Sequence, residues 1–325
     1  MRLFVTGAAG FIGSNYVRHV LATTDDSVTV FDALTYAGNL DNLRGLEGDP
    51  RFAFVKGDIC DREAVTSALA GHDVVVHFAA ESHVDRSIVN PDDFVRTNCG
   101  GTNVMCDVAR RVGVGRFVHI STDEVYGSIE VGSFTETDPL SPRSPYSASK
   151  AGSDLIALSY LTTYGLPVVV TRSSNQFGPY QFPEKAIPLF TTNLLDGRRV
   201  PLYGDGGNVR DWLFVEDNVR AVDLVLRRGT VGEVYNIGAH NEITNRELVD
   251  RLLELCGADA SAVEYVTDRP GHDRRYSITT DKVAGLGWHA TTDLGEALER
   301  TVAWYRDNRW WWEPLKVRAA FDRMP

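Results

Sequence analysis

Residues 3–13, LFVTGAAGFIG, decide the fold, because they combine a short apolar strand, a glycine-rich turn and the start of a helix. Gly7, Gly10 and Gly13 give the turn the spacing Gly-x-x-Gly-x-x-Gly. Glycines at these positions permit a tight turn and let a pyrophosphate approach the backbone and the N-terminus of the helix. The stretch therefore predicts the dinucleotide site that opens a parallel α/β domain; the alternative is a turn that merely joins two elements.

A second predicted strand, residues 27–31, ends at Asp32. A carboxylate at this place can accept hydrogen bonds from the adenosine ribose hydroxyls, and it would repel a 2′-phosphate. Asp32 therefore favours NAD over NADP as the cofactor. It also favours the dinucleotide interpretation of the glycine turn over that of a plain connection.

Composition is that of an ordinary globular enzyme, since the 325 residues are 43% hydrophobic and 24% charged, with a net charge of −11. The negative charge argues against nucleic acid or an anionic membrane surface as a partner. No apolar stretch approaches the length of a membrane span, and the first residues belong to a strand rather than to a signal peptide. Cysteines stand at Cys60, Cys99, Cys106 and Cys256, without Cys-x-x-Cys spacing. We expect reduced core cysteines in a cytoplasmic protein, and no metal site.

The order of predicted elements is α/β at first and mixed afterwards. Up to residue 174, predicted strands at 52–55, 74–78, 117–121 and 168–171 alternate with predicted helices at 62–70, 92–112 and 146–164. This alternation predicts a doubly wound parallel sheet of the Rossmann type, the NAD-binding domain. Residues 175–325 contain more turns, short strands such as 234–237 and short helices at 218–227, 245–256 and 294–307. They predict a smaller mixed α/β substrate lobe, some of whose strands return to the main sheet.

Three consecutive tryptophans, Trp310, Trp311 and Trp312, stand near the end of the chain. Aromatic residues after an amphipathic helix usually dock that helix onto the body of a protein. We therefore expect a packing role for them, and a platform for a ligand is the alternative.

Tyr146 and Lys150 lie four residues apart, on one face of a predicted helix. A lysine there can lower the pKa of the tyrosine, so that a phenolate becomes available to remove a proton from an alcohol. Residues 121–127, STDEVYG, place Asp123 and Glu124 directly after a buried strand. Dehydrogenation alone needs no such carboxyls. The sequence thus predicts oxidation, elimination and reduction in one pocket, and a solvated loop pair is the alternative.

Together these motifs resemble the extended short-chain dehydrogenase/reductase superfamily and, within it, the nucleotide-sugar 4,6-dehydratases. The resemblance runs from the N-terminus to about residue 315, and it includes the segments DALTYAGN (32–39), GDI (57–59), HFAAESHVDRS (77–87), PYQFPEK (179–185), YGDG (203–206), RDW (210–212) and RPGHD (269–273). Its most specific part is the triplet Thr122, Asp123 and Glu124. Sugar 4-epimerases and most decarboxylases of the superfamily do not place Asp and Glu together there.

The resemblance implies a role for each residue of these motifs. Tyr146, with Lys150, would take the proton of the sugar 4-hydroxyl while NAD takes the hydride, and Thr122 would hold that oxygen. Glu124 would then remove the carbon 5 proton, and a protonated Asp123 would donate to the hydroxyl that leaves carbon 6. The hydride would return to carbon 6, giving a 4-keto-6-deoxy sugar nucleotide. NAD would stay tightly bound and be regenerated in each turnover.

Two sets of binding residues follow from the same resemblance. The expected NAD contacts are Gly7, Gly10, Phe11, Ile12, Gly13, Asp32, Leu34, Thr35, Gly38, Asp58, Ile59, Phe78, Ala79, Ala80, Ser82, Thr97, Tyr146, Lys150 and Gln176. The expected sugar nucleotide contacts are Ser82, Thr122, Asn175, Glu184, Lys185, Pro201, Tyr203, Arg210, Asn245, Arg269, His272 and Tyr276. The helices at 92–112 and 146–164 would pair with those of a second subunit in a homodimer.

One departure from the family pattern lies at residues 173–179, SSNQFGP, where these enzymes usually show Asn-Asn-Tyr after the serine. Gln176 and Phe177 there predict an altered contact near the nicotinamide and leave the catalytic set intact. Three functions stay open: a 4,6-dehydratase of a thymidine or uridine sugar nucleotide, a 4-epimerase or decarboxylase, and a non-catalytic NAD-binding scaffold. The carboxyl pair favours the first, and the Thr-Tyr-Lys set disfavours the last.

Overall fold

The computed structural model describes residues 1–269 and 271–321. Pro270, in the RPGHD segment, and residues 322–325, the end of the predicted substrate lobe, lie outside the described residues. The strands are β1 Arg2–Thr6, β2 Ser27–Asp32, β3 Phe52–Lys56, β4 Val74–His77, β5 Arg116–Thr122, β6 Val168–Ser173, β7 Asn175–Phe177, β8 Val200–Tyr203, β9 Val209–Phe214, β10 Val234–Ile237, β11 Glu242–Thr244 and β12 Val263–Val266.

The α-helices of the described chain alternate with the strands in its first half. They are α1 Phe11–Thr23, α2 Arg62–Leu69, α3 Val84–Val89, α4 Pro91–Phe94, α5 Thr102–Val112, α6 Pro145–Tyr164, α7 Ala186–Leu195, α8 Val215–Arg228, α9 Asn245–Cys256, α10 Asp281–Ala284, α11 Leu294–Asp307 and α12 Arg309–Phe321. Shorter 3₁₀ turns stand at Leu40–Leu43, Asp123–Tyr126 and Ala260–Ala262, and a π-helical segment at Val95–Gly101.

The main sheet has seven strands in the order β10-β6-β5-β4-β1-β2-β3, and every pairing in it is parallel. Helices α1 and α8 cover one face, and α2, α5 and α6 cover the other. The predicted doubly wound Rossmann-type sheet is confirmed. Its strand order reverses beside β1, and ligands of such sheets bind at the carboxyl ends of the strands near this reversal.

Residues beyond 174 form two small sheets and one strand of the main sheet. The order of the three-stranded sheet is β11-β9-β7, the two-stranded sheet pairs β12 with β8, and β10 lies beside β6. A separate apolar core contains residues of α7, α9 and α11 together with β8 and β9. Trp311 and Trp312 are 2% and 0% exposed and pack with Tyr305 of α11, which agrees with the predicted packing role, whereas Trp310 is 47% exposed. All three lie in a further helix, α12, that the sequence did not predict.

The helix predicted at 92–112 is interrupted, so that prediction was wrong in detail. The chain passes from α4 through the π-helical segment Val95–Gly101 before α5 begins. Gly101 packs so tightly that an added Cβ would lie 2.4 Å from Ile59 Cδ1. In the wider turn, the Asn98 amide donates to Ser149 Oγ of α6 at 2.8 Å and accepts from the Glu81 N–H at 2.8 Å. The interruption thus joins the end of β4 to the helix that carries Tyr146, and π-helical turns often mark functional sites.

Candidate active site

The glycine turn lies between β1 and α1, against the residues that follow β4. Gly7 has a φ of +71°, and a Cβ there would lie 2.5 Å from the Ala79 nitrogen. Only glycine fits this position, because a side chain would meet backbone atoms. Gly10 is the N-cap of α1. The first N–H groups of α1 can therefore reach a phosphate without an intervening side chain.

Asp32, at the end of β2, is 8% exposed and lies beside the glycine turn. Its Oδ2 accepts the Ala9 N–H at 2.9 Å, and its Oδ1 accepts the Leu34 N–H at 2.8 Å. Burial raises the pKa of this carboxyl, while the two backbone N–H groups favour its ionised form. Each carboxylate oxygen has a second lone pair, so Asp32 can still accept the two hydroxyls of a ribose.

The other residues of the predicted NAD set lie along the same edge of the sheet. Asp58 and Ile59 follow β3, Phe78, Ala79, Ala80 and Ser82 follow β4, and Leu34, Thr35 and Gly38 lie in the loop after β2. Thr97 lies in the π-helical segment, and Phe11, Ile12 and Gly13 form the first turn of α1. Asp58 accepts a hydrogen bond from Arg96 at 2.6 Å. The predicted NAD-binding residues named here therefore lie in segments that follow β1, β2, β3 and β4, the strands on either side of the reversal in strand order.

Gln176 and Phe177, which depart from the family pattern, lie in β7. The Gln176 amide donates to the Ser174 carbonyl at 2.7 Å. Phe177 is fully buried, with its ring centroid 5.7 Å from that of Phe214 and 6.3 Å from that of Trp212. A phenylalanine suits this apolar core, where the hydroxyl of a tyrosine would need a partner.

Thr122, Asp123 and Glu124 stand where β5 ends and a 3₁₀ turn begins. Thr122 Oγ1 accepts the Glu124 N–H at 3.3 Å and donates to Asp123 Oδ1 at 3.3 Å. Asp123 is 2% exposed, and its Oδ2 has no hydrogen-bond partner among the described residues. Burial, followed by the nearby carboxylates of Glu124 and Asp211, raises the pKa of Asp123 well above its ordinary value. Asp123 is thereby held as a proton donor.

Glu124 faces cations that Asp123 does not share to the same degree. Burial raises the pKa of Glu124, but the charges of Lys185, Arg269 and Arg210 counteract this. Because these cations favour the ionised form, Glu124 is better placed than Asp123 to act as a carboxylate. Two neighbouring carboxyls with different environments are a recurrent arrangement for an acid and a base.

Tyr146 and Lys150 lie in the first two turns of α6, which Ser144 caps and Pro145 begins. The effect expected of Lys150 on the tyrosine is not seen: the Tyr146 pKa is raised well above its ordinary value, first by burial and then by Glu124 and Asp123. Lys150 Nζ instead donates to the Ile120 carbonyl at 2.6 Å, and burial lowers the Lys150 pKa to about 8. In the absence of a bound cation, the phenol is thus a weak acid.

The residues predicted to bind the sugar nucleotide gather beside this pair. Lys185 Nζ donates to the Ser82 carbonyl at 2.7 Å, and Arg269 pairs with Asp85 at 3.0 Å. Glu184 is 5% exposed, with Oε2 3.3 Å from Arg86 Nε and Oε1 without a hydrogen-bond partner among the described residues. These contacts place Lys185 and Arg269, two of the cations expected to surround the nucleotide diphosphate, against residues that follow β4.

Arg210 is the most enclosed of the predicted phosphate ligands, at 5% exposure. Its guanidinium lies 4.2 Å from the centroid of the Tyr276 ring and donates to the Asp273 carbonyl at 2.8 Å. Tyr276 in turn donates to Asp273 Oδ2 at 2.8 Å. Burial lowers the Arg210 pKa. A buried arginine with remaining N–H donors is suited to a diphosphate.

The remaining substrate candidates surround this arginine more loosely. The Nδ1–H of His272 donates to Asp268 Oδ1 at 2.6 Å, and the imidazole ring meets that of Tyr203 edge to face. Asn245 begins α9, where its N–H donates to the Asn208 carbonyl at 2.9 Å. Pro201 is half-buried in β8. Asn175, by contrast, lies in β7 with its side-chain oxygen unpartnered within the described chain.

Sequence reasoning assigned no role to several residues of this site. Asp211 raises the pKa of Asp123 while its own oxygens accept the N–H groups of Ala239 and Asn241 at 2.9 and 2.7 Å. Asn208 donates to the Asp273 carbonyl at 3.1 Å, beside Arg210. Asp211 directly follows Arg210 in the sequence and Asn208 precedes it by two positions, and that proximity was the available signal.

Comparisons with known proteins fit this geometry. The GDP-mannose 4,6 dehydratase family model matches residues 4–301. The dTDP-glucose 4,6-dehydratase of Streptomyces antibioticus is 58% identical over 332 residues, which cover 100% of this chain and 98% of the relative. The chain belongs to the dTDP-glucose 4,6-dehydratase family. The Escherichia coli enzyme of that name is 46% identical over 96% of each chain.

Solved structures give the same family and one useful contrast. DesIV, a dTDP-glucose 4,6-dehydratase from Streptomyces venezuelae solved with NAD and TYD bound, matches with a TM-score of 0.96 at 56% identity, over 97% of this chain and 100% of that one. The UDP-glucose 4-epimerase of Thermotoga maritima matches with a TM-score of 0.89 at 32% identity, over 95% and 100% of the chains. Since a dehydratase and an epimerase both share the fold of this chain, the site must distinguish them.

No helix in the described part of the chain is long and apolar enough to cross a membrane. Across residues 1–269 and 271–321, no group of three or more His, Cys, Asp or Glu side chains is arranged to hold a metal ion.

Proposed function

We propose that this chain converts dTDP-glucose to dTDP-4-keto-6-deoxyglucose with NAD as a resident cofactor. The observation that carries the proposal is Asp123: a buried carboxyl with a raised pKa and an unpartnered oxygen, next to a second carboxyl surrounded by cations. An epimerase needs only the oxidising half of this site. Loss of water needs both an acid for the hydroxyl and a base for the carbon proton.

The residues at the strand ends fit NAD. Gly7 permits close backbone approach, the N-terminus of α1 can accept a pyrophosphate, and Asp32 has lone pairs left for a ribose. NAD bound there supplies reversible hydride storage at the sugar carbons. Its positive nicotinamide charge would also favour the phenolate of Tyr146, which the protein alone disfavours.

Tyr146 acts in the first stage as the base for the 4-hydroxyl proton. Thr122, at the end of β5, offers its hydroxyl to the same sugar oxygen. Lys150, through its bond to the Ile120 carbonyl, ties α6, the helix that carries Tyr146, to β5. These residues therefore orient the sugar and hold the proton that leaves oxygen 4.

Glu124 and Asp123 act in the second stage, once carbon 4 is a ketone and the carbon 5 proton is acidic. Glu124 takes that proton as a carboxylate, and the electron pair of the broken carbon–hydrogen bond forms a double bond between carbons 5 and 6 as the bond from carbon 6 to its oxygen breaks. Asp123 gives its proton to the carbon 6 hydroxyl, which leaves as water. Reduction at carbon 6 and return of a proton to carbon 5 complete the 4-keto-6-deoxy sugar.

Cations and unpartnered oxygens prepare the rest of the pocket for a nucleotide diphosphate. Arg210, Arg269 and Lys185 supply positive charge, while Asn175 and Asn208 leave amide oxygens for hydroxyl or N–H donors of the ligand. The thymidine nucleotide is supported by the relatives' names, because four curated relatives at 54–58% identity are named dTDP-glucose 4,6-dehydratase.

Mass spectrometry of the product tests this function directly. We expect dTDP-glucose to yield a product lighter by one water, and UDP-glucose to react far more slowly. A product of unchanged mass but inverted at carbon 4 would identify an epimerase. No reaction with either sugar, despite bound NAD, would support the scaffold alternative.

We further propose a homodimer built on α3, the π-helical segment and α6. Val89, Val95 and Leu155 on these elements are 86%, 57% and 62% exposed. Exposed apolar side chains on neighbouring helices are typical of a subunit interface. Sedimentation at micromolar concentration should give a species of twice the 35.9 kDa mass of one chain. Leu155→Glu should convert this dimer to a monomer of 35.9 kDa. A monomer without the substitution would exclude this assembly.

We also retain the cytoplasmic location and the division at residue 174 as proposals. All four cysteines are unpaired thiols, as suits a reducing compartment. The apolar core around α7, α9 and α11 supports a distinct substrate lobe. Fractionation of cells and limited proteolysis near residue 174 would test the two proposals.

A further inference from the structure

The C-terminal aromatic cluster comprises Phe182, Tyr305, Trp311, Trp312 and Leu315, all buried. Partly buried residues packed against it include Tyr36 and Ala37, which belong to the loop after Asp32. The last two helices therefore pack directly on a loop of the NAD site. This contact alone would be ordinary packing, but two chains of hydrogen bonds also connect the last two helices to the predicted NAD site.

The first chain runs from α12 to the glycine turn. The Trp311 indole N–H donates to Asn42 Oδ1 at 2.8 Å, and the Asn42 amide donates to the Ala9 carbonyl at 2.7 Å. Asn42 is 2% exposed, and its orientation is fixed because each end of the amide has the matching partner. Ala9 lies between Gly7 and Gly10, and its own N–H donates to Asp32. Trp311 thus reaches the peptide that faces the pyrophosphate and ribose positions.

A second chain runs from α11 to the opposite end of the site. The Tyr305 hydroxyl donates to the Gln181 carbonyl, and the Gln181 amide donates to the Gln176 carbonyl at 2.9 Å. Tyr305 is fully buried and Gln181 is 8% exposed. Gln176 is the residue expected beside the nicotinamide. The two chains start from one cluster and end at the two ends of the cofactor site.

We propose that the chain from Trp311 through Asn42 to Ala9 is a cofactor clamp, in which Trp311 and Asn42 are positioning residues that fix the glycine turn for NAD. The inference rests on the proposed function, because it takes NAD as the resident cofactor. Loss of the Trp311 N–H leaves Asn42 Oδ1 buried without its donor, so the amide can rotate and give up its bond to the Ala9 carbonyl, which then keeps only the Asn39 N–H at 3.0 Å. NAD binding must then restore the turn.

Trp311→Phe tests the clamp, with Trp312→Phe as the matched control. Both tryptophans are buried in α12, and each substitution keeps an aromatic ring and removes one N–H. Trp312 donates to the Tyr305 carbonyl at 2.7 Å, so its bond stays within the C-terminal helices and makes no contact with Asn42 or Ala9. Calorimetric titration of NAD into cofactor-stripped protein should show about a fivefold weaker affinity for Trp311→Phe, as expected for one lost hydrogen bond, and little change for Trp312→Phe.

Equal NAD affinities for the two variants would overturn the clamp, whether both fall or neither does. If Trp311→Phe fails to fold, Asn42→Ala keeps every ring of the cluster and should weaken NAD at least as much; unchanged affinity there would also overturn the clamp. The unmodified protein separates the two proposals. If it binds no NAD, the proposed function fails, whereas bound NAD with no difference between the variants defeats only the clamp.

Discussion

Asp32 and Asp123 are both buried aspartates at the carboxyl ends of parallel strands, yet their surroundings are opposite. Each oxygen of Asp32 accepts a backbone N–H, whereas Asp123 has one oxygen without a partner in the described chain and two carboxylates nearby. The same contrast separates the two ends of the site. At the cofactor end, the carboxylate oxygens already have hydrogen-bond partners within the protein. At the catalytic end, polar atoms have no such partner and can bind a ligand.

One fold can support several reactions because its cofactor end and its catalytic end meet different physical requirements. A cofactor that stays bound through every turnover is served by a rigid, satisfied turn, as at Gly7 and Ala9. Chemistry on a changing substrate needs groups whose pKa values are displaced and whose bonds are incomplete, as at Asp123 and Glu124. Substitutions at the catalytic end should therefore change rates, and those at the cofactor end should change affinity.

Tyr146→Phe should have the largest effect on turnover. Without the phenol, nothing takes the proton from the 4-hydroxyl, so oxidation and loss of water should both fall by at least ~10²-fold. The measurement is the rate of NADH absorbance and of water loss with dTDP-glucose. Tyr164→Phe on the same helix, where the ring is 55% exposed, is the control and should keep full activity. Normal accumulation of NADH in Tyr146→Phe would contradict the role of the tyrosine.

Asp123→Asn should slow elimination by up to about 10²-fold, more than it slows oxidation, because the amide cannot give a proton to the leaving hydroxyl. It should also stabilise the fold at neutral pH. The pKa of Asp123 is raised in the folded protein, so the carboxyl favours the fold only while it is protonated. This contribution is lost as the pH rises above the ordinary aspartate pKa near 3.8, and an uncharged asparagine avoids the loss. A gain of ~1 kcal/mol would raise Tm by roughly 2 °C.

The stability effect has a control of opposite sign in Asp138→Asn. The Thr135 backbone N–H lowers the pKa of exposed Asp138, so this carboxylate contributes stability above its ordinary pKa and its loss should lower Tm at pH 7. Thermal melts at pH 5 and pH 8 compare the two. A Tm of Asp123→Asn that falls relative to the unmodified protein as pH rises would show that Asp123 is ionised and paired.

Asp32→Ala should weaken NAD by roughly 1–3 kcal/mol, or about five- to 150-fold, through lost ribose hydrogen bonds. Once NAD is saturating, the rate of loss of water should stay close to that of the unmodified protein. Calorimetry and saturation kinetics separate the two quantities. Asp73→Ala, at the opposite edge of the sheet where Asp73 pairs with Arg2, should bind NAD normally. Equal turnover of the unmodified protein with NADP would refute the role of Asp32.

Lys185→Met should give the smallest effect, concentrated at low pH. Burial raises the Glu124 pKa and Lys185 is the first of the groups that lower it, so the substitution raises that pKa further. Because the base must be ionised, the acid limb of kcat should move to higher pH, while rates above the limb change little. Lys282→Met, at a surface pair with Glu233, should leave the profile unchanged. An unmoved limb would remove Lys185 from the ionisation of Glu124.

The sequence predicted much of this because its strongest signals are local. The glycine turn, Asp32 and the alternation of strands and helices fixed the fold, since backbone geometry and hydrophobic pattern demand those residues at those places. The proposed catalytic residues were named from the Thr-Asp-Glu triplet and the Tyr-Lys spacing, and their roles remain predictions. The confirmed family assignment follows from the same motifs.

What the sequence could not supply are the contacts made across distance. The raised Tyr146 pKa depends on burial and on Glu124, and the Lys150 amine is directed to a carbonyl of β5 rather than acting on the phenol. The π-helical turn depends on how Gly101 packs against Ile59. Asp211 influences Asp123 only because β9 brings it there. Each of these is set by tertiary packing, which periodicity does not encode.

A single-turnover experiment on Glu124→Gln tests directly whether Glu124 and Asp123 perform elimination after a separate oxidation. The amide keeps the shape of the side chain but cannot take the carbon 5 proton. With dTDP-glucose in deuterated water, NADH absorbance should rise and persist, while no water is lost and no deuterium enters carbon 5. Glu130→Gln, an exposed position a few residues along, should complete the turnover. Loss of water by Glu124→Gln at the unmodified rate would contradict the account.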